Sequence, residues 1–211
     1  MSARGLGTEP IAFGHYPTPA HMVTRLWEVC SELRNARAVC DPMSDEGALL
    51  TTLRDLSAER RRDALFTYAN EIRPEAVPAL RGACLTSWNI GDAFDYDPPH
   101  GATIITNPDF ALFERTARHF RDKGQALILL GPAGYLAGGG MRNNIVADLG
   151  MPNMWLIPER PRYVTFIWQD ETGAYLSSGS TDSTGSAWYV WHGSKALSGK
   201  VTQLREVTDA E

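Results

Sequence analysis

Between positions 18 and 35 the apolar residues Met22, Leu26, Val29 and Leu33 recur at steps of four, three and four. That stripe predicts an amphipathic helix, with Thr18 as its N-cap and Pro19 in the first turn. Downstream, short β-type runs alternate with helical stretches. The runs at 38–42, 64–69, 84–88, 103–106 and 126–130 read as strands, with helices at 47–56, 75–80 and 110–120. A helix near 143–149 and strands at 155–158, 163–168 and 187–191 complete the pattern. This alternation predicts an α/β sheet of mostly parallel strands in a single domain spanning 1–211. The Ser/Thr/Gly-rich segments 177–186 and 193–199 read as surface loops, and the polar stretch 200–211 as a frayed end.

Composition narrows the reading. With 43% hydrophobic residues, the 211-residue chain has the material for one substantial core. A net charge of -5 and a pI of about 5.6 exclude a general nucleic-acid binder, so any contact with DNA is expected to be local. No run approaches the roughly 18 apolar residues of a membrane helix, and no secretory h-region follows Met1. A soluble, cytoplasmic protein is expected. Cys30, Cys40 and Cys84 are widely spaced and odd in number, which predicts buried free thiols rather than disulfides or a metal site. None of the histidines, His15 included, has a partner at metal-ligand spacing.

Several strand ends carry chemistry. The run 103–106 stops on Asn107-Pro108-Asp109-Phe110. The Asn oxygen and the Pro108 carbonyl suit two hydrogen bonds from a planar amide or amino group, and Phe110 offers a stacking face. The first strand ends in Asp41-Pro42-Met43-Ser44-Asp45-Glu46-Gly47 and enters a helix, the arrangement of a nucleotide-type loop. Glu71 closes the second strand, where a carboxylate suits both hydroxyls of a ribose. After the third, Asp92 suits an adenine amine and Phe94 the face of its ring. The structural alternatives are an Asp-Pro turn capping a helix, a solvated strand-end glutamate, and a turn aspartate before a core phenylalanine.

Together these segments resemble the class I S-adenosylmethionine-dependent methyltransferases, and among them the small phage-type DNA adenine-N6 methyltransferases. The motifs carrying the resemblance are Tyr16-Pro17-Thr18-Pro19, Asp41-Pro42 to Gly47, Glu71, Gly91-Asp92, Asn107 to Phe110, and the late run Thr181-Asp182-Ser183-Thr184 with Ala187 to Trp191. The resemblance implies a Rossmann-like fold with helices on both faces of the sheet and an antiparallel last strand. It implies S-adenosylmethionine as cofactor, with Tyr16, Pro17 and Thr18 against its methionine end, and Asp41, Pro42, Ser44 and Gly47 lining the loop. Glu71 would hold the ribose, with Asp92 and Phe94 at the adenine. Asn107 and Pro108 would hold the target amine, with Asp109 between them and the stacking ring of Phe110. Thr181, Asp182 and Ser183 would face the site, with a capped turn as the alternative.

The implied activity is direct methyl transfer to the N6 amine of adenine in DNA, by a phage-encoded or prophage-encoded enzyme. Protein glutamine methylation is a second reading, because a planar amide also fits an Asn-Pro-x-aromatic clamp. No separate target-recognition domain is expected, so specificity falls to loops 132–142 and 158–186, with Arg142, Arg160 and Arg162 as phosphate contacts. Arg60, Arg61 and Arg62 read instead as a solvated face between Glu59 and Asp63. Two positions depart from the family pattern: Asp45, where a small residue is common, and Asp109, where a second proline is usual. Two unit charges about 5 Å apart at an effective dielectric near 20 interact by roughly 3 kcal/mol. An unpaired Asp45 facing the cofactor carboxylate would weaken binding, and one facing solvent or the cofactor's ammonium would not; a non-catalytic binding protein that has lost cofactor use through Asp45 and Asp109 is the alternative reading.

Overall fold

The computed structural model describes residues 17–60, 64–137, 141–157, 162–169, 175–181, 185–192 and 201–203; for 141–144, 162–169, 175–181 and 201–203 this covers backbone only. Among the described residues, ten strands form an eight-stranded sheet and a separate two-stranded hairpin. The sheet comprises β1 (Ala38–Asp41), β2 (Phe66–Glu71), β3 (Ser87–Ile90), β4 (Thr103–Thr106), β5 (Ala126–Pro132), β6 (Asn153–Leu156), β9 (Ser186–His192) and β10 (Val201–Gln203). Their spatial order is β10-β6-β9-β5-β4-β1-β2-β3. β9 runs antiparallel to β5 and β6, and every other pairing in the sheet is parallel. The order reverses between β1 and β4. Open α/β sheets bind ligands beyond the carboxyl ends of the strands at such a switch point.

Alternation along the central strands builds two apolar layers. From β5, Ile128 and Leu130 enter one layer with α1 (Ala20–Val29) and α3 (Ala48–Arg60), while Leu127 and Leu129 enter the other with α5 (Phe113–Phe120). From β9, Trp188 and Val190 join the first layer, and Ala187, Tyr189 and Trp191 the second. The expected helices on both faces are therefore present. Gly131 in β5 has a packing reason: a Cβ there would lie 2.4 Å from Phe113, so only glycine admits that ring at the base of α5.

Several boundaries differ from expectation. The amphipathic stretch is broken at Cys30, whose ψ of 104° is extended, giving α1 and a short α2 (Ser31–Arg34). Thr18 is not the cap of α1. Pro19 holds that position without a side-chain capping bond. The segment 175–181, expected mostly as loop, is β8 (Tyr175–Thr181), paired with β7 (Arg162–Gln169) outside the main sheet. Its Ser-rich composition hid a strand whose neighbour is another short strand rather than the core. Val201–Gln203 pairs with β6 where fraying was expected. Cys30 and Cys40 are buried free thiols as expected, but Cys84 is exposed, in a left-handed turn at φ 52°. Burial pushes the Cys40 thiol up to about 12. Among the described residues no helix is long and apolar enough to cross a membrane.

Candidate active site

A cleft of about 430 Å3 opens at the carboxyl ends of β1, β2, β3 and β4. That size suits a nucleoside-sized ligand. Among its lining residues are Pro17, Thr18, Asp41, Pro42, Ser44, Glu71, Asp92, Phe94, Asn107 and Asp109. Segments as much as 92 positions apart in the chain, from Pro17 to Asp109, thus converge because each stands at the end of a parallel strand or just before the first helix.

The loop after β1 is braced from β2. Buried Asn70 donates through Nδ2 to the carbonyls of Pro42 and Gly91, both at 3.0 Å, and its Oδ1 accepts from Asn89 Nδ2 at 2.7 Å. Its own carbonyl accepts the Ser44 amide at 2.9 Å. One side chain therefore ties together the loops that follow β1 and β3. Asp41 is buried, and its Oδ1 accepts the Met43 amide at 3.1 Å. Burial, together with the negative charges of Glu71 and Asp45, pushes the Asp41 carboxyl up to about 7 against the opposing Thr106 hydroxyl and Met43 amide.

Gly47 stands apart from residues 41–45 of this loop. It does not line the cleft; a Cβ there would point at Leu80, Leu85 and Ala83. Its φ of 82° instead turns the chain into α3, with its amide donating to the Ser44 carbonyl at 2.8 Å. Asp45 also has a positive φ, 53°, and its amide donates to Glu71 Oε2 at 2.7 Å. Its carboxylate pairs with Arg73. The charge that the sequence left unpaired is therefore balanced by a residue two positions beyond Glu71. Burial works against the Arg73 charge, but the hydrogen bond to Glu71 and the charges of Asp45 and Glu71 hold its proton more firmly than usual.

In the acceptor segment, Asn107 and Asp109 face the cleft, whereas Pro108 is buried and Phe110 is half-buried outside its lining. Asp109 caps the turn that leads into α5: its Oδ1 accepts the Ala111 amide at 2.9 Å. Phe94 lines the cleft, with the Arg115 guanidinium 3.6 Å from its ring centroid and the His119 ring edge-on at 5.3 Å. That face of Phe94 is covered by a cation rather than open to a purine. Tyr16, Asp182, Ser183 and Arg160 lie outside the described residues, as do Arg61, Arg62 and His15. Thr181, Arg142 and Arg162 are described only as backbone. Arg60 is exposed and pairs with Glu28 at 3.7 Å.

Sequence reasoning missed Ile72, Arg73, Leu112 and Arg115, all of which line the cleft. For Ile72 there was a signal, an apolar residue directly after the strand-end glutamate; at 39% exposure it offers the cleft an uncovered apolar surface. Ser44 lines the cleft, while its Oγ is buried with no hydrogen-bond partner among the described residues. Asp92 is exposed, with Oδ1 accepting the Phe94 amide at 2.9 Å, which leaves its second oxygen as an acceptor. The lining thus combines an apolar side and two strand-end carboxylates. These features fit an adenosine-type ligand.

No protein-family model matches this sequence, and no curated protein does. Solved structures do resemble the fold. A Listeria monocytogenes protein provisionally described as a class I S-adenosylmethionine-dependent methyltransferase superposes with a TM-score of 0.67 at 13% identity, over 92% of this chain and 68% of that one. The methyltransferase subunit of a type I restriction-modification system from Streptococcus thermophilus gives 0.58 at 13% identity, over 87% and 46%. An RNA methyltransferase from Salinibacter ruber in complex with S-adenosyl-L-homocysteine gives 0.50 at 14% identity, over 90% and 99%. The chain spans about two thirds of the first and under half of the second. At such identities the likeness is one of fold. With its parallel sheet, antiparallel β9 and helices on both faces, this chain has the Rossmann-like class I methyltransferase fold.

Proposed function

We propose that this protein transfers a methyl group from S-adenosyl-L-methionine to the exocyclic N6 amine of adenine in DNA, in the cytoplasm of the cell that makes it. The observation that carries this reading is the convergence of Asn107 with Glu71 and Asp92 in one cleft. The cofactor, when bound, supplies an electrophilic methyl group. Glu71 would accept a ribose hydroxyl, Asp92 the adenine amine, and Ile72 would cover the purine ring. Thr18, Asp41 and Ser44 would meet the amino-acid end. Bonds accepted by the Asn107 oxygen and the Pro108 carbonyl would draw the target amine out of conjugation and aim its lone pair. Positioning would carry most of the rate. The likeness to a type I restriction-modification methyltransferase supports DNA as substrate.

Duplex DNA would need its adenine turned out of the stack at a cost of a few kcal/mol. Arg115, exposed at the cleft rim, is a candidate strand contact alongside Arg142, Arg160 and Arg162. The ion pair between Asp45 and Arg73 weighs against a charge penalty on the cofactor at position 45. The test is transfer of labelled methyl to DNA, RNA and bulk protein in parallel. Label recovered as N6-methyladenine in DNA is expected. Label in RNA alone would move the substrate class, and label in protein alone would favour the glutamine reading.

A further inference from the structure

Glu71 has about four lone-pair positions on its carboxylate. Oε1 accepts the Arg73 amide at 3.0 Å and Arg73 Nε at 2.8 Å, and Oε2 accepts the Asp45 amide at 2.7 Å. Among the described residues these bonds leave about one position, on Oε2, for a ligand. Arg73 pairs at the same time through Nη2 with Asp45 Oδ1. The side chains are 18% exposed for Arg73 and Asp45 and 7% for Glu71, so solvent screens this group weakly. Without the guanidinium, Asp45 and Glu71 would be like charges held together by a backbone hydrogen bond, at the wall of the cleft that all three line.

We propose that Arg73 is a positioning residue of the nucleoside half of the cleft: it orients Glu71 toward one ribose hydroxyl rather than two, and it cancels the charge of Asp45. Arg73 and Asp45 form a matched pair, in which the aspartate is tolerated because the arginine is present. The inference rests on the S-adenosylmethionine reading above.

Calorimetric titration of the whole chain with S-adenosyl-L-homocysteine tests it, with thermal unfolding of each variant as the check on folding. Arg73→Gln is expected to weaken binding by about tenfold or more, the scale of losing one charged partner in a partly buried group. Adding Asp45→Asn to Arg73→Gln is expected to recover most of that loss, and Arg73→Lys, which keeps charge without the planar fork, to fall between. A purely structural role for Arg73 predicts no such recovery. Binding by Arg73→Gln equal to wild type, or a double variant no better than the single one, overturns the inference alone. Should Arg73→Gln fail to fold, full binding by Asp45→Asn with intermediate binding by Arg73→Lys supports the charge account, and a loss in Arg73→Lys as deep as that in Glu71→Gln, titrated in parallel, overturns it. No heat from the wild-type chain at millimolar ligand overturns the cofactor reading and the inference together.

Discussion

On the side of the cleft built by β1, β2 and β3, side chains cross-link the loops: Asn70 joins the Pro42 and Gly91 backbones, and Arg73 spans Glu71 and Asp45. On the side built by β4, the acceptor turn is held by local bonds, from the Ala111 amide to the Asp109 side chain at 2.9 Å and from the Leu112 amide to the Asp109 carbonyl at 2.8 Å. Its longer-range anchor is Phe113, fully buried against Tyr135 and Tyr189. The first side is a braced network in which charges balance across distant residues. Among the described residues, the second is a short turn held by local bonds beside a buried aromatic ring. A braced network suits holding a ligand whose shape does not change between turnovers, and a short exposed turn suits admitting a variable macromolecule.

The sharpest break in this comparison is chemical. Asn107→Ala is expected to reduce methyl transfer by about a thousandfold, roughly 4 kcal/mol, while S-adenosyl-L-homocysteine affinity stays within about twofold. Single-turnover transfer and calorimetry on the same preparation measure the two. If affinity fell as far as rate, the two sides would not be separable, and Asn107 would belong to the ligand network instead.

Next in size is a pH effect confined to the braced side. The Asp41 carboxyl, ordinarily near 3.8, is raised to about 7 in the folded chain. Between those values the folded state holds a proton that the unfolded state has released, so stability falls as pH rises through the window and the full penalty stands above it. The penalty is about 4 kcal/mol at most. Denaturant unfolding should therefore show Asp41→Asn more stable than wild type at pH 8, with the gap closing toward pH 4. A gap that does not change with pH would remove Asp41 from the account.

The smallest expected effect tests the turn. Asp109→Ala removes a capping acceptor and should cost about 1 kcal/mol of stability, with a modest loss of transfer rate and unchanged cofactor affinity. Restoration by Asn, which keeps a side-chain oxygen but no charge, separates capping from electrostatics. A variant with Asn that remained as impaired as the one with Ala would assign the carboxylate a chemical role.

The strand ends that carry Asp41, Glu71, Asp92 and Asn107 were legible because each apolar run stops there, and a parallel sheet gathers such ends on one edge. Ile72 carried a weaker signal of the same kind. Arg73 and Arg115 carried none: an arginine two residues past a strand and one on a helix look like ordinary surface charges until the fold sets them against Asp45 and Phe94. The direction of Gly47 was likewise invisible, because a glycine in a loop announces a turn and not which way its missing side chain would have pointed.

What the chain determined by itself is the alternation of strand and helix, the apolar content of the central strands, and the polar residue at each strand end. These are local properties, set by the periods of the backbone and by where hydrophobic runs stop. Only the tertiary structure decided that Asp45 is charge-balanced, that Asp109 is spent on a cap, and that, among the described residues, Glu71 keeps about one acceptor position for a ligand. Those outcomes depend on which groups meet at sequence separations of 26 and 28 or accept a particular backbone amide. Electrostatic energy depends on distance and screening, and neither is written in the order of residues.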